Sequence, residues 1–176
     1  MMKKKPIYLY VLLVISGALT LWGVFSQFTT KPDSVLAVIK ESYQKQNIPN
    51  AQTEELMKVF RKTIEFNLNT VHKAFVVVGL VLLLITLFLL LKKQVLQANL
   101  SYLAYLLLKV VLGIYGFVGS TSIARSVYAG NQDMIDASIQ GSRVTLIVTV
   151  VVYLIPIILV FYKLWQQQKA ADTTEE

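Results

Sequence analysis

Four long apolar blocks dominate this sequence and leave it few ways to fold. They cover residues 7–28, 74–91, 98–120 and 143–165, with polar segments between them. A helix rises about 1.5 Å per residue and the hydrocarbon core of a bilayer is about 30 Å thick, so each block is long enough to cross a membrane. The sequence therefore predicts an all-α integral membrane protein, with four transmembrane helices in a single domain over residues 1–176.

The composition excludes several classes of function. Hydrophobic residues make up 55% of the chain and charged residues 15%, a balance outside the range of soluble domains. The net charge is +7, but the cations stand at the ends of the apolar blocks and not on one soluble face, so we expect no nucleic-acid partner. The chain has no cysteine, one histidine and no acidic residue inside any apolar block. We therefore expect no metal, no cofactor and no enzymatic activity, because the ligands and catalytic groups are missing.

The longest polar segment, residues 29–73, has the pattern of helices. A proline and an aspartate mark a helix start, and apolar residues then recur at spacings of three and four. Residues 47–50 interrupt this pattern, so we predict an extracytoplasmic helical hairpin. Nothing between Thr53 and Phe75 breaks a helix, so the second helix is predicted to run without a break into the second span. Residues 166–176 are polar and are predicted to form a disordered cytoplasmic tail.

Lysines beside the apolar blocks predict the orientation of the chain. Lys3–Lys5 precede the first block, and Lys92 and Lys93 follow the second, positions typical of the cytoplasmic side. The cytoplasmic segments then hold seven Lys and Arg residues against nine in the outer segments, but the cytoplasmic ones lie closer to the spans. We predict that both termini are cytoplasmic. The small size and the cysteine-free outer segments favour a multi-pass protein of a bacterial cell membrane.

Lys109 is the one charged residue in the middle of an apolar block. A lysine at the centre of a membrane helix is unfavourable by about 2.5–3.5 kcal/mol unless it finds partners. Three interpretations follow. The lysine is satisfied by local tyrosines or extends its flexible stem toward the cytoplasmic interface, it is an assembly charge that pairs with an acidic residue of another protein, or it is a translocation site in a water-filled crevice. The candidate intramembrane polar site consists of Lys109, Tyr105, Tyr102, Thr149 and Tyr153.

Two stripes of small residues predict close helix packing. Stripes of this kind let the backbones of two membrane helices approach each other. We expect the two stripes to pack against each other inside the bundle, with a dimerisation face as the alternative. The residues are Ser16, Thr20 and Gly23 in the first span and Gly113, Gly116 and Gly119 in the third.

These patterns lead to two hypotheses about function. The first is a non-enzymatic membrane protein, an accessory, assembly or immunity-type component that acts through contacts of its helices and outer loop. The second is a small oligomeric transporter or channel that uses Lys109 in a polar crevice. The expected partners are the lipid bilayer and either another membrane protein or further copies of the same chain.

Overall fold

The chain folds entirely into helices over the residues that the structure, a computed structural model, describes, which are 6–46 and 50–172. Six helices follow one another, and within these ranges no strand forms. They are α1 (Ile7–Thr29), α2 (Pro32–Lys45), α3 (Asn50–Asn67), α4 (Thr70–Leu91), α5 (Val95–Val127) and α6 (Gln132–Asp172).

Four of these helices, α1, α4, α5 and α6, are long and apolar enough to cross a membrane. Their large apolar side chains point outward, as at Trp22 of α1, which is 71% exposed. Several of the polar side chains, in contrast, are buried between the helices, among them Thr20, Thr86 and Asn99. An apolar exterior around a partly polar interior fits a lipid environment, so the four helices indicate a membrane protein.

The predicted spans agree with the helices at some ends and fall short at others. The first and second blocks nearly coincide with α1 and α4, whereas α5 and α6 contain 33 and 41 residues. Hydropathy detects only the apolar part of a helix, so it misses the polar turns that continue α5 and α6. Residues 166–172, which the sequence predicts as part of a disordered tail, are helical. Adding residues to an existing helix requires no new nucleation, and each one gains a hydrogen bond. Residues 173–176 of that tail, and 47–49 of the predicted interruption, lie outside the described residues.

The prediction of an unbroken helix from Thr53 into the second span is wrong. The helix α3 ends at Asn67, and α4 begins at Thr70. Asn69 separates them because its Oδ1 accepts a hydrogen bond from the backbone N–H of His72 at 2.8 Å, which satisfies a free donor at the start of α4. An asparagine side chain that binds the backbone can end a helix without proline or glycine.

The helix α5 is the centre of the bundle. It packs against α4, α6 and α3, while α1 packs on α4 and α2 packs on α3. A three-residue turn, Lys92–Gln94, joins α4 to α5 and makes them antiparallel neighbours. The largest fully buried side chains include Tyr102, Tyr105 and Leu106 of α5. Every other long helix therefore takes its position from α5 or from α4 beside it.

Contacts across the helices show which residues lie at the same depth. Asn69 contacts Tyr115, and Gly113 faces Thr149. The apolar runs of α4, α5 and α6 accordingly end within about one helical turn of each other, near Val71, Phe117 and Val144. From Ala98 to Phe117 the rise is about 29 Å, which matches the hydrocarbon thickness. We call the side of this slab that carries α2 and α3 the loop end, and the opposite side the termini end.

Above the slab, α2 and α3 form a small helical pair at the loop end. The rings of Tyr43 and Phe60 lie 6.2 Å apart, and Arg61 forms an exposed ion pair with Asp33 at 3.4 Å. The pair is attached to α5 through α3, where Lys62 donates to Ser126 at 3.0 Å. The ion pair between α2 and α3 contributes little because it is exposed, and the attachment of α3 to α5 also includes the ring of Phe66, which stacks on that of Tyr115.

Candidate functional site

Hydroxyl groups of α1 bind tyrosines of α5 along the interior of the bundle. Ser16 Oγ lies 2.7 Å from the hydroxyl of Tyr102, and Thr20 Oγ1 lies 2.9 Å from that of Tyr105. The two tyrosine rings stack on each other with centroids 5.7 Å apart. The polar stripe of α1 is therefore used to satisfy two buried phenols, each of which would otherwise be unpaired in an apolar surrounding.

Hydrogen bonds between polar side chains of α1 and α5 also occur at the termini end of the bundle. The hydroxyl of Tyr8 donates to Asn99 Oδ1 at 2.8 Å. Asn99 is fully buried, and its Nδ2 lies 3.5 Å from Gln167 Oε1 of α6. Polar bonds thus link α1, α5 and α6 at this end, and they fix the relative register of the three helices.

Lys109 lies one turn beyond Tyr105 on the same side of α5. Its ammonium is 5.4 Å from the centroid of the Tyr105 ring, a cation–π contact that contributes about 0.5–2 kcal/mol. Lys109 is about 16 Å along the axis from Ala98 and about 12 Å from Phe117, close to the middle of the slab. It is half-buried, and its ammonium forms no hydrogen bond or ion pair with any residue of the described chain.

The other candidate residues around Lys109 are occupied elsewhere. The hydroxyl of Tyr102 is bound to Ser16, and Thr149 Oγ1 donates to the carbonyl of Thr145 in its own helix at 2.8 Å. Tyr153 packs against the apolar core. Tyr105 contacts Lys109 with its ring face, while its hydroxyl is bonded to Thr20.

A second polar cluster, which sequence reasoning missed, lies between Lys109 and the loop end. Asn69 Nδ2 donates to the hydroxyl of Tyr115 at 2.9 Å, and the Tyr115 ring stacks on Phe66 at 4.9 Å. Gln27 donates to the carbonyl of Asn67 at 2.9 Å. Among the described residues, His72 Nδ1 and Gln27 Oε1 are buried without a partner. One signal was visible: Gln27 extends the stripe of Ser16, Thr20 and Gly23 by one further turn.

The two small-residue stripes do not pack against each other as expected. A Cβ on Gly113 would lie 3.0 Å from Thr149 Cγ2 of α6, and a Cβ on Gly119 would overlap the Phe66 ring of α3. At Gly116 and Gly23, in contrast, no side chain of the described residues lies within 4 Å of an added Cβ. The stripe of α5 thus faces α6 and α3, because the bulky tyrosines of α5 already occupy the polar stripe of α1.

A groove opens between α5 and α6 on the loop-end half of the bundle. Its volume is about 420 Å³. Most side chains along it are small or carry a hydroxyl, and its wall includes Gly116, around which the described residues leave space. We call it the α5–α6 groove; it is lined by Asn67, Gly113, Gly116, Phe117, Ser120, Ser138, Gly141, Ser142, Thr145, Leu146 and Thr149.

Comparison with known proteins places the chain in a family. Residues 2–173 match the family described as Domain of unknown function (DUF8777). The match covers nearly the whole chain, so the protein belongs to that family. No curated protein and no solved structure matches the chain.

Proposed function

We propose that this protein is a non-enzymatic membrane component, of accessory, assembly or immunity type, which acts by binding a helix of a partner or of a second copy. The observation that carries the proposal is the α5–α6 groove. It is about 420 Å³ in volume, and its wall includes Gly116, where no side chain of the described residues fills the space beside the backbone.

The surface of the groove favours a helix as its occupant. Small residues on both walls let a foreign backbone approach closely, which is how membrane helices associate without a hydrophobic driving force. The hydroxyls of Thr145 and Thr149 donate to carbonyls of their own helix but keep free lone pairs, which accept hydrogen bonds from a partner. The groove lies at the depth of Gly113 and Thr149, so a transmembrane helix of the partner passes alongside it.

Photocrosslinking in native membranes tests this proposal. A photoreactive residue replaces Ser120, on the groove wall, and in a matched variant it replaces Val151, which is 52% exposed and lies on the opposite side of α6 from Thr149. We expect a discrete crosslinked species from position 120 and only diffuse lipid adducts from position 151. Equal products from both positions contradict the proposal.

A blocking substitution separates binding from folding. Gly116→Leu fills the groove without meeting another side chain close to its Cβ, so the protein should keep its thermal stability. We expect the crosslink from position 120 to disappear in this variant. If the crosslink persists while the fold is intact, the groove is not the binding surface.

A transporter or channel is the second candidate, and one observation favours it. Among the residues that the structure describes, the Lys109 ammonium near mid-depth has the Tyr105 ring as its one partner. This contact of about 0.5–2 kcal/mol falls short of the insertion penalty of about 2.5–3.5 kcal/mol. Hydrogen bonds from water in a crevice would supply the stabilisation of the ammonium that the cation–π contact does not provide. In proteoliposomes, flux of protons or small anions that falls in Lys109→Met supports this candidate; equal flux with and without the substitution contradicts it.

A further inference from the structure

A shallow, open groove lies along one face of α5 where this helix leaves the apolar slab, and all the residues that line it belong to α5. Its volume is about 520 Å³, and it is lined by Phe117, Val118, Thr121, Ser122, Arg125 and Ser126. The lower part is apolar, with Val118 59% exposed, and the upper part is polar and cationic. We call it the α5 surface groove. It is separate from the α5–α6 groove, with which it shares only Phe117.

Two cations stand at the upper part of the α5 surface groove. Arg125 lines it directly and has no ion-pair or hydrogen-bond partner among the residues that the structure describes. Lys62 of α3 reaches it from the side, since its ammonium donates to Ser126 Oγ at 3.0 Å. That bond uses one of the three N–H groups of the ammonium. The remaining donors of both cations can bind an anion in the groove.

The depth of this groove matches that of the lipid headgroups. Phe117 lies at the loop-end limit of the apolar slab, and Arg125 is about 12 Å further along the helix. Helical side chains lean toward the N-terminus of their helix, which for α5 is the direction of the membrane. The long side chain of Arg125 therefore descends to the level of the phosphates, which occupy about 5–8 Å beyond the hydrocarbon.

We propose that the α5 surface groove binds one anionic phospholipid, with its phosphate between Arg125 and Lys62 and the start of one acyl chain against Val118 and Phe117. Charge complementarity and depth both select this ligand. A soluble anion would leave the apolar part of the groove uncovered. A zwitterionic lipid would bring its own cationic group close to Arg125 and Lys62, which would repel it. Arginine is suited to this role because its planar group binds a phosphate through two parallel hydrogen bonds.

Native mass spectrometry of the full-length protein in a mild detergent tests the proposal. The protein is titrated with phosphatidylglycerol and, separately, with phosphatidylcholine of the same acyl chains. We expect tighter binding of phosphatidylglycerol and a loss of about fivefold in its affinity for Arg125→Gln, the effect of one cation near a membrane surface. Arg125→Lys should retain most of the affinity, because the charge remains.

Lys40→Gln is the matched control, since it removes one exposed cation from α2, away from the groove. It should bind phosphatidylglycerol as the unaltered protein does, and thermal unfolding of all variants should be alike. Equal loss of affinity in Arg125→Gln and Lys40→Gln would overturn the proposal, and so would equal binding of the two lipids. Displacement of the lipid by soluble glycerol phosphate at matched concentration would also overturn it, because the site would then select a free phosphate.

Discussion

Gly119 occupies a position where even one added methyl group should disturb the packing of α3. A Cβ at this position would overlap the ring of Phe66. The ring has little freedom to move away, because it stacks on Tyr115 at 4.9 Å and meets the edge of His72 at 6.1 Å. We therefore expect Gly119→Ala to displace Phe66 and to loosen the attachment of α3 to α5.

The size of this effect follows from the cost of overpacking. Inserting a methyl group into a filled site destabilises a protein by about 1–3 kcal/mol. For a chain of this length, that corresponds to a decrease of about 2–12 °C in the midpoint of thermal unfolding. The measurement is thermal unfolding of the purified protein in detergent, followed by circular dichroism.

Gly116→Ala is the control for this prediction. It lies one turn earlier on the same helix, has open space around an added Cβ, and gains the same helix propensity of up to about 1 kcal/mol. It should therefore unfold at the same temperature as the unaltered protein or slightly higher. In the double variant Gly119→Ala with Phe66→Leu, the smaller side chain should recover part of the loss. If Gly119→Ala and Gly116→Ala unfold alike, the assigned contact between α3 and α5 is wrong.

Three further predictions use the same unfolding assay. Asn69→Ala should cost about 0.5–2 kcal/mol because it removes the cap of α4, whereas Asn69→Ser should retain most of that cap; equal losses would show that the cap contributes nothing. Thr20→Val and Tyr105→Phe should be coupled by about 0.6 kcal/mol and at most about 1.7 in a double-mutant cycle, and a coupling of zero would exclude a bond between the two hydroxyls. Lys109→Met should unfold at a higher temperature than the unaltered protein, because the insertion penalty exceeds the single cation–π contact; a lower temperature would reveal a partner for this lysine.

The positions of the spans could be predicted because they depend on a local property. An apolar block long enough to cross a bilayer has few alternatives, so residues 7–28 and 74–91 nearly coincide with α1 and α4. The extensions of α5 and α6 could not be found this way. They contain polar residues, and the contacts made there, such as those of Ser126 with Lys62 and of Gln167 with Asn99, become visible only in the folded bundle.

The partners of individual side chains could not be predicted, because they depend on which helices meet. The stripe of Ser16 and Thr20 was recognised, but its partners are Tyr102 and Tyr105 and not the glycines of α5. The sequence predicts those tyrosines as neighbours of Lys109, and a single sequence gives no means of choosing between the two arrangements. The break at Asn69 was missed for a related reason: an asparagine is tolerated inside a helix, and only its bond to the backbone shows that it acts as a cap.

Labelling of single cysteines tests most directly the claim that the loop end and the termini end lie on opposite sides of a membrane. The chain has no native cysteine, so variants at Ser34 and Ser126, at the loop end, and at Gln94 and Gln166, at the termini end, can be treated with an impermeant thiol reagent. In intact cells we expect labelling at positions 34 and 126, and labelling at 94 and 166 only after lysis. Labelling of Ser34 and Gln94 variants from the same side would contradict the four-span arrangement on which the two grooves and the depth of Lys109 depend.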